Sequence, residues 1–182
     1  LSDIADASPE NLFGAVLAHW KLAAKRQSGK ALVRVYNPNL EEAGWDCEHT
    51  VIEIINDDMP FLVDSITSEL NRLDLTTHLV VHPLVTVFRS KSGELEGLAS
   101  VSKTPSPAVT ESFMHLQITK QSGKQLVDIR KGIEKVIKDV RSAVEDWIEM
   151  RATMSSIIEE LESKPNGVSA EEAAEAREFL RW

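Results

Sequence analysis

The spacing of apolar positions changes several times along the chain, and each change predicts a new element. Ser8-Pro9 offers a helix start, with serine as cap and proline in the first turn, and Leu12, Phe13, Val16, Leu17 and Trp20 then recur on one helical face. The runs 31-ALVRVY-36 and 49-HTVIEIIN-56, alternating or β-branched, predict strands on either side of the turn-rich 37-NPNLEEAGWD-46. In 56-NDDMPFLVDSITSELNRLD-74 the period lengthens, and Leu62, Ile66, Leu70 and Leu73 mark the narrow apolar stripe of a helix. A long strand pattern follows in 76-TTHLVVHPLVTVFRS-90, interrupted by Pro83, which demands an edge position or a bulge. The turn 91-KSG-93 leads into a shorter strand, 94-ELEGLAS-100. The prolines of 102-SKTPSPAVT-110 predict a loop, and 111-ESFMHLQITK-120 alternates as a strand again.

After Gly123 the pattern is helical throughout. Leu126, Ile129, Ile133, Val136, Ile137, Val140, Val144 and Trp147 share one face of a long helix, and Met150, Met154, Ile157, Ile158 and Leu161 mark a second. The break 163-SKPNGVS-169 separates it from a last helix, for which Ser169 and Glu172 form a capping box. The order from residue 31 to 147 is β-β-α-β-β-(β)-α. It predicts an α+β fold, a mainly antiparallel sheet with helices on one face. The ferredoxin-like unit accommodates this order in permuted form, with 31-ALVRVY-36 in the place of the strand that usually comes last. Three segments are expected: an N-terminal helix over 1–30, an α+β domain over 31–147 and a helical connector over 148–182.

Composition narrows the function classes. With 42% hydrophobic and 27% charged residues the chain reads as an ordinary soluble domain. Its net charge of -9 argues against nucleic acid or an anionic membrane as partner. The single cysteine, Cys47, excludes an internal disulfide and a paired-cysteine metal knuckle, and a reducing, cytoplasmic setting is the expectation. No run has the length of a transmembrane helix or the apolar core of a signal peptide. The chain opens on Leu1 and closes on 170-AEEAAEAREFLRW-182, apolar at its end and without a capping glycine, which reads as the N-terminal piece of something longer.

Catalytic motifs are missing: there is no GxGxxG, GxxxxGK, GxSxG or HExxH, so no catalytic or cofactor-binding residue is assigned. Cys47 lies between Asp46 and Glu48, neighbours that disfavour a thiolate. The histidines are the stronger candidates. His78 and His82 share one face of their strand, as do Phe113, His115 and Gln117 of theirs. If those faces coincide, Glu53, His78, Val80, His82, Phe113, His115 and Gln117 form one open, amphipathic sheet surface, suited to a neighbouring domain or a second copy. A zinc site, and with it a small metalloenzyme, is the alternative. Residues four apart on a strand lie about 13 Å apart, too far to share one ion, so no metal ligand is assigned. Asp57, Asp58 and Asp64 guarantee too few oxygens for a hard cation.

The turn Asp58-Met59-Pro60, leading into Leu62, Val63 and Ile66, resembles the opening of an ACT domain, in which D-x-P-G precedes L-x-x-I; here Phe61 stands at the glycine position. Over a longer stretch, 59-MPFLVDSITSELNRLDLTTHLVVHPLVTVFR-89 resembles the N-terminal region of the large bacterial NAD-specific glutamate dehydrogenases. The segments 111-ESFMHLQI-118, 139-DVRSAVEDW-147 and 174-AEAREFLRW-182 follow in the same order. The resemblance implies a noncatalytic, ACT-like regulatory or assembly domain with downstream domains of the same chain as partners. The parent would be a homo-oligomer that uses NAD to deaminate L-glutamate oxidatively to 2-oxoglutarate and ammonia, with the dehydrogenase domain far downstream. It also implies an alternative, an amino-acid effector site at the turn formed by Asn56, Asp57, Asp58, Met59, Pro60, Phe61, Asp64 and Ser65. A plainer account gives these residues structural tasks: Asp57 and Asp58 at the positive helix end, Pro60 in the first turn, Phe61 in the core.

Overall fold

The structure, a computed structural model, describes residues 8–99, 107–163, 167 and 169–181. Contacts divide the chain into two units, Leu1–Val140 and Arg141–Trp182. The first carries strands β1 (Leu32–Tyr36), β2 (Thr50–Asp57), β3 (Thr77–Val81), β4 (Leu84–Arg89), β5 (Leu95–Leu98) and β6 (Ala108–Ile118). Its helices are α1 (Pro9–Leu22), α2 (Leu40–Ala43), α3 (Leu62–Arg72) and most of α4 (Gly123–Glu145).

All pairings are antiparallel, in the order β1-β2-β6-β4-β5, with β3 also on β6. β2 and the β3–β4 pair therefore run parallel on either side of β6, and α3 makes the crossover between them. β1 fills the outer place beside β2. This is the α+β, permuted ferredoxin-like arrangement that the sequence predicts. The main core lies between the sheet and α3 and α4. Ile52 and Ile54 of β2 and Met114, Leu116 and Ile118 of β6 meet Leu62, Ile66 and Leu70 of α3 and Ile129, Ile133 and Ile137 of α4. Each of these large side chains contributes about 1.5–3 kcal/mol by leaving water.

Four local features differ from the pattern-based expectations. The strand over 76–90 is two strands, yet the register runs unbroken across Pro83: Val81 faces His115 and Leu84 faces Ser112. The proline costs only its own ladder bond, and its carbonyl still accepts from Phe113 N at 3.1 Å. The loop expected over 102–110 already gives way to β6 at Ala108, because Ala108, Val109 and Thr110 complete the ladder along β4; its residues 102–106 lie outside the described part. The turn-rich 37–46 contains α2, capped by Asn39 Oδ1, which accepts from Glu42 N at 2.9 Å.

The fourth concerns α1. Ser8 caps it as expected, accepting from Asn11 N at 3.1 Å, but its apolar stripe turns outward, with Phe13 and Val16 each 69% exposed. The inward face is made of small residues. Ala18 packs with Trp45 and Val51, and a Cβ at Gly14 would stand 2.4 Å from Trp45 Cβ. Ala23 packs with Ile55, Val87 and Phe113. α1 thus approaches the sheet closely, and small residues carry little hydrophobic signal from which that could be foreseen.

The second unit pairs α5 (Trp147–Glu162) with α6 (Ala170–Arg181). Arg181 Nη2 meets Glu162 Oε1 at 2.6 Å. The Ser169–Glu172 capping box forms reciprocally, Glu172 N donating to Ser169 Oγ at 3.2 Å and Ser169 N to Glu172 Oε2 at 3.0 Å. Of the break over 163–169, residues 164–166 and 168 lie outside the described part.

Candidate functional site

The turn from β2 to α3 takes an unusual backbone path. Phe61, at the helix N-cap, is left-handed, with φ 65° and ψ 0°, a conformation that glycine adopts freely and a bulky residue does not. Its carbonyl accepts the first helical bond, from Ser65 N at 3.0 Å. The phenyl ring is 65% exposed, so Phe61 is not the core residue expected; Leu62 takes that place. Asp57 does not serve the helix end either. Its Oδ1 accepts from Arg26 Nη2 at 2.7 Å and its Oδ2 from Gly29 N at 3.0 Å. Buried Asn56 donates Nδ2 to the Asp57 carbonyl at 3.0 Å, Asp58 N lies 3.5 Å from Thr110 O, and Met59 packs on the core. Only Phe61, Asp64 and Ser65 of the eight turn residues open onto the shallow groove between α3 and α4, which Arg72 and Asp139 also line.

The histidine face separates into parts. Val81 pairs with His115 and Val80 with Leu116, so Val80 and His82 point to the side of the helical core, opposite His115. His82 Nε2 lies 2.6 Å from Ser112 Oγ. Alternation shows which residues of one strand share a face; only the register shows which face that is. His78, at a bulge, stacks on His49 with ring centroids 4.2 Å apart and lies 3.2 Å from Thr119 Oγ1. Among the described residues no group of three His, Cys, Asp or Glu could hold a metal ion.

The face that carries Glu53, Phe113, His115 and Gln117 is covered by α1 rather than left open. His19 of α1 lies 5.4 Å from the Phe113 ring and 6.4 Å from His115, and Trp45 lies 6.3 Å from His115. Burial, the nearby His115 and Arg34 lower the His19 pKa to about 4, and burial lowers His115 to about 4. Both rings are neutral at pH 7. Glu53 is fully buried and accepts from Arg34 Nε at 2.7 Å, from Arg34 Nη2 and from Tyr36 Oη at 3.1 Å. Burial pushes its carboxyl up, against the opposing pull of Arg34. The Cys47 thiol is pushed up by burial first and by Asp46 and Glu48 as well, and it has no nucleophile's environment.

A second buried ionic cluster had no signature in the sequence. Glu111 sits opposite Asp57 in the β2–β6 register, and two carboxylates so close need cations. Arg26 donates Nε and Nη2 to Glu111 Oε1 at 3.1 and 2.8 Å, and Arg89 donates Nε to Oε1 at 2.6 Å and Nη2 to Oε2 at 2.7 Å. Burial opposes the charge on Glu111, but the bonds from Arg89 and Arg26 outweigh it and hold its carboxyl below the usual range. Arg89 Nη1 also donates to the Ala23 and Gly93 carbonyls, each at 2.9 Å. Gly93 has φ 87°, and a Cβ there would stand 2.3 Å from Arg26 O. The four residues come from four distant segments, which no spacing rule connects.

Residues 1–133 match the family described as "Glutamate dehydrogenase, ACT1 domain". The chain belongs to this family. An NAD-specific glutamate dehydrogenase of Halomonas elongata is 38% identical over 184 residues, covering 100% of this chain and 11% of the relative. Its counterpart in Pseudomonas aeruginosa is 33% identical over 183 residues, again 100% of this chain and 11% of the relative. That of Mycobacterium tuberculosis is 29% identical over 167 residues, or 91% of this chain and 10% of the relative. The chain therefore spans about a tenth of the length of these relatives.

The β2–α3 turn of this ACT1 domain does not fit the pyrophosphate of a dinucleotide. A pyrophosphate needs a glycine-lined turn between strand and helix, so that the backbone can approach it. At the β2–α3 turn this domain has Pro60, which lacks an N–H, and the ring of Phe61. No helix among the described residues is long and apolar enough to cross a membrane.

Proposed function

We propose that this ACT1 domain is a noncatalytic regulatory and assembly domain of an NAD-dependent glutamate dehydrogenase. The observation that carries this reading is similarity along the full chain to NAD-specific glutamate dehydrogenases of which it spans about a tenth. The parent enzyme deaminates L-glutamate oxidatively to 2-oxoglutarate and ammonia, with NAD held by domains downstream in the same chain. The outward stripe of α1 supports the assembly role. Phe13 and Val16 stay exposed, and a neighbouring domain or a second copy in a homo-oligomer would cover them. The cytoplasm is the setting that this reading implies, in keeping with the free thiol of Cys47.

An amino-acid effector at the Asn56–Ser65 turn is the second reading. Its support is the left-handed backbone of Phe61, a conformation that glycine adopts freely, at the position where the ACT turn carries glycine. Assembly is preferred because Asn56 and Asp57 are committed to the fold and the Phe61 ring occupies the approach.

The test compares the parent enzyme with and without the ACT1 domain, by sedimentation and by glutamate-dependent NAD reduction in the presence of a panel of amino acids. Loss of the native assembly, or of the response to effectors, is expected, together with no turnover by the 182-residue chain alone. A domain-deleted enzyme unchanged in assembly, kinetics and effector response overturns the proposal. Saturable calorimetric binding of an amino acid, lost in Asp58→Ala, favours the second reading instead.

A further inference from the structure

α1 touches the sheet along its line of small residues, and beside that line a cleft of about 390 Å³ remains. Leu12, Val16 and Trp20 of α1 form one wall, and Leu79 and Val81 of β3 with Phe113 of β6 form the other. The size is that of a small-molecule pocket. Three polar side chains line it as well: His19, His115 and Gln117. Among the described residues, no Asp, Glu, Lys or Arg lines it.

The polar groups define what could bind. Gln117 Nε2 lies 3.3 Å from His115 Nε2, where the amide donates to the unprotonated ring nitrogen. His19 Nε2 lies 3.4 Å from the Ile54 carbonyl, to which a neutral ring donates. The other ring nitrogen of His19 is then an acceptor. Both rings are kept neutral by their surroundings, so the described lining offers no countercharge to an ion. Burying an unpaired charge there would be heavily penalised. Its walls are rich in flat π surfaces, from Trp20, Phe113 and the two imidazoles.

We propose that this cleft binds an uncharged aromatic molecule that carries a single N–H or O–H donor. The ring lies between Trp20 and Phe113, and the donor reaches a histidine nitrogen. Amino acids and carboxylates are excluded by charge. This site is separate from the β2–α3 turn, and the inference rests on the cleft and not on the regulatory reading. Binding is measured on the chain itself, whereas the regulatory reading is measured on the parent enzyme, so either can fail alone.

The experiment is an NMR titration of the full 182-residue chain with indole, and in parallel with indole-3-acetate and L-tryptophan. Indole is expected to shift, saturably, the signals of Trp20, His19, His115 and the Gln117 amide. The groove beside Arg72 should not respond. The two charged analogues should bind about tenfold more weakly or worse. Val16→Trp, at an exposed position of α1 that lines the cleft, should fill the mouth and abolish the response with the spectrum still dispersed. Val81→Trp repeats the block from the β3 side should the first variant lose its fold. Absence of a saturable shift, equal binding of all three compounds, or an indole response that survives in a folded blocked variant overturns the proposal.

Discussion

Arg89 grips Glu111 with two parallel hydrogen bonds, Nε to Oε1 at 2.6 Å and Nη2 to Oε2 at 2.7 Å, deep beneath the loop that follows α1. Arg26 donates to Oε1 of the same carboxylate through Nε and Nη2. The cluster ties that loop to the β4–β5 turn, a link reinforced by Leu95 N donating to Ala24 O at 2.9 Å.

Removing the shared carboxylate should therefore be costly. Glu111→Gln leaves two buried guanidinium groups short of countercharge and is expected to lose about 3–5 kcal/mol, read as a lower urea midpoint at unchanged slope. Replacing the triad together, Arg26→Met with Arg89→Met and Glu111→Leu, should cost less than the single change, because the one carboxylate that loses its cation, Asp57, is part exposed and keeps its bond from Gly29 N. A triple variant less stable than Glu111→Gln would show that the network contributes more than its own solvation penalty.

Stability should climb with pH between about 4 and about 6.5. His19 and His115 have folded pKa values of about 4, against roughly 6.5 in the unfolded chain. Between these limits the unfolded chain binds a proton at each ring that the folded chain refuses. The contribution is complete above about 6.5 and is lost as pH falls towards 4. Glu111, whose carboxyl is lowered on folding, extends the loss at still lower pH as it too protonates. Urea midpoints taken across this range should flatten in His19→Gln/His115→Gln; an unaltered slope would mean that other groups carry the dependence.

Phe61→Gly should stabilise the domain. A non-glycine residue in the left-handed region costs about 1–2 kcal/mol, offset in part by the greater freedom of glycine when unfolded. The ring, 65% exposed, gives up little burial. A net gain of about 0.5–1 kcal/mol is expected from thermal or urea unfolding. A loss of that size would instead reveal a packing role for the ring.

Gly14→Ala should lift α1. The added methyl would meet Trp45 Cβ at 2.4 Å, and relief requires the helix or the indole to move, at a cost of about 1–3 kcal/mol. Trp45, now 2% exposed, should show a red-shifted emission, readable after the other tryptophans are replaced by phenylalanine. Emission unchanged from the parent would mean that the contact is slack.

What the sequence disclosed, and what it hid, follows from the range of the interactions. The stripes Leu62–Ile66–Leu70 and Ile129–Ile133–Ile137 are set by local periodicity, and they bury as predicted. The caps at Ser8 and Ser169 are local too. Asp57 looked like part of a helix start because its chain neighbours are there, whereas its partner Arg26 is 31 residues away. His82 and His115 went to opposite faces because register, a long-range property, decided between them. The inward side of α1 stayed hidden because Gly14 and Ala18 pack by being small. The turn motif was legible as family membership, but not as an assembled pocket.

The place of β1 at the outer side of β2 also governs where this domain can be cut. In the unpermuted order, the second helix is followed by the strand that shields this margin. Here the shield precedes β2, and α4 is released from returning to the sheet. A protein shortened to begin at His49 would keep both core helices and the cross-over, yet uncover the whole hydrogen-bonding margin of β2, including 51-VIEII-55. Such a bare, β-branched margin recruits other chains. The shortened protein should therefore elute as aggregate where the intact one does not: β1 acts as a built-in guard against self-association through the sheet.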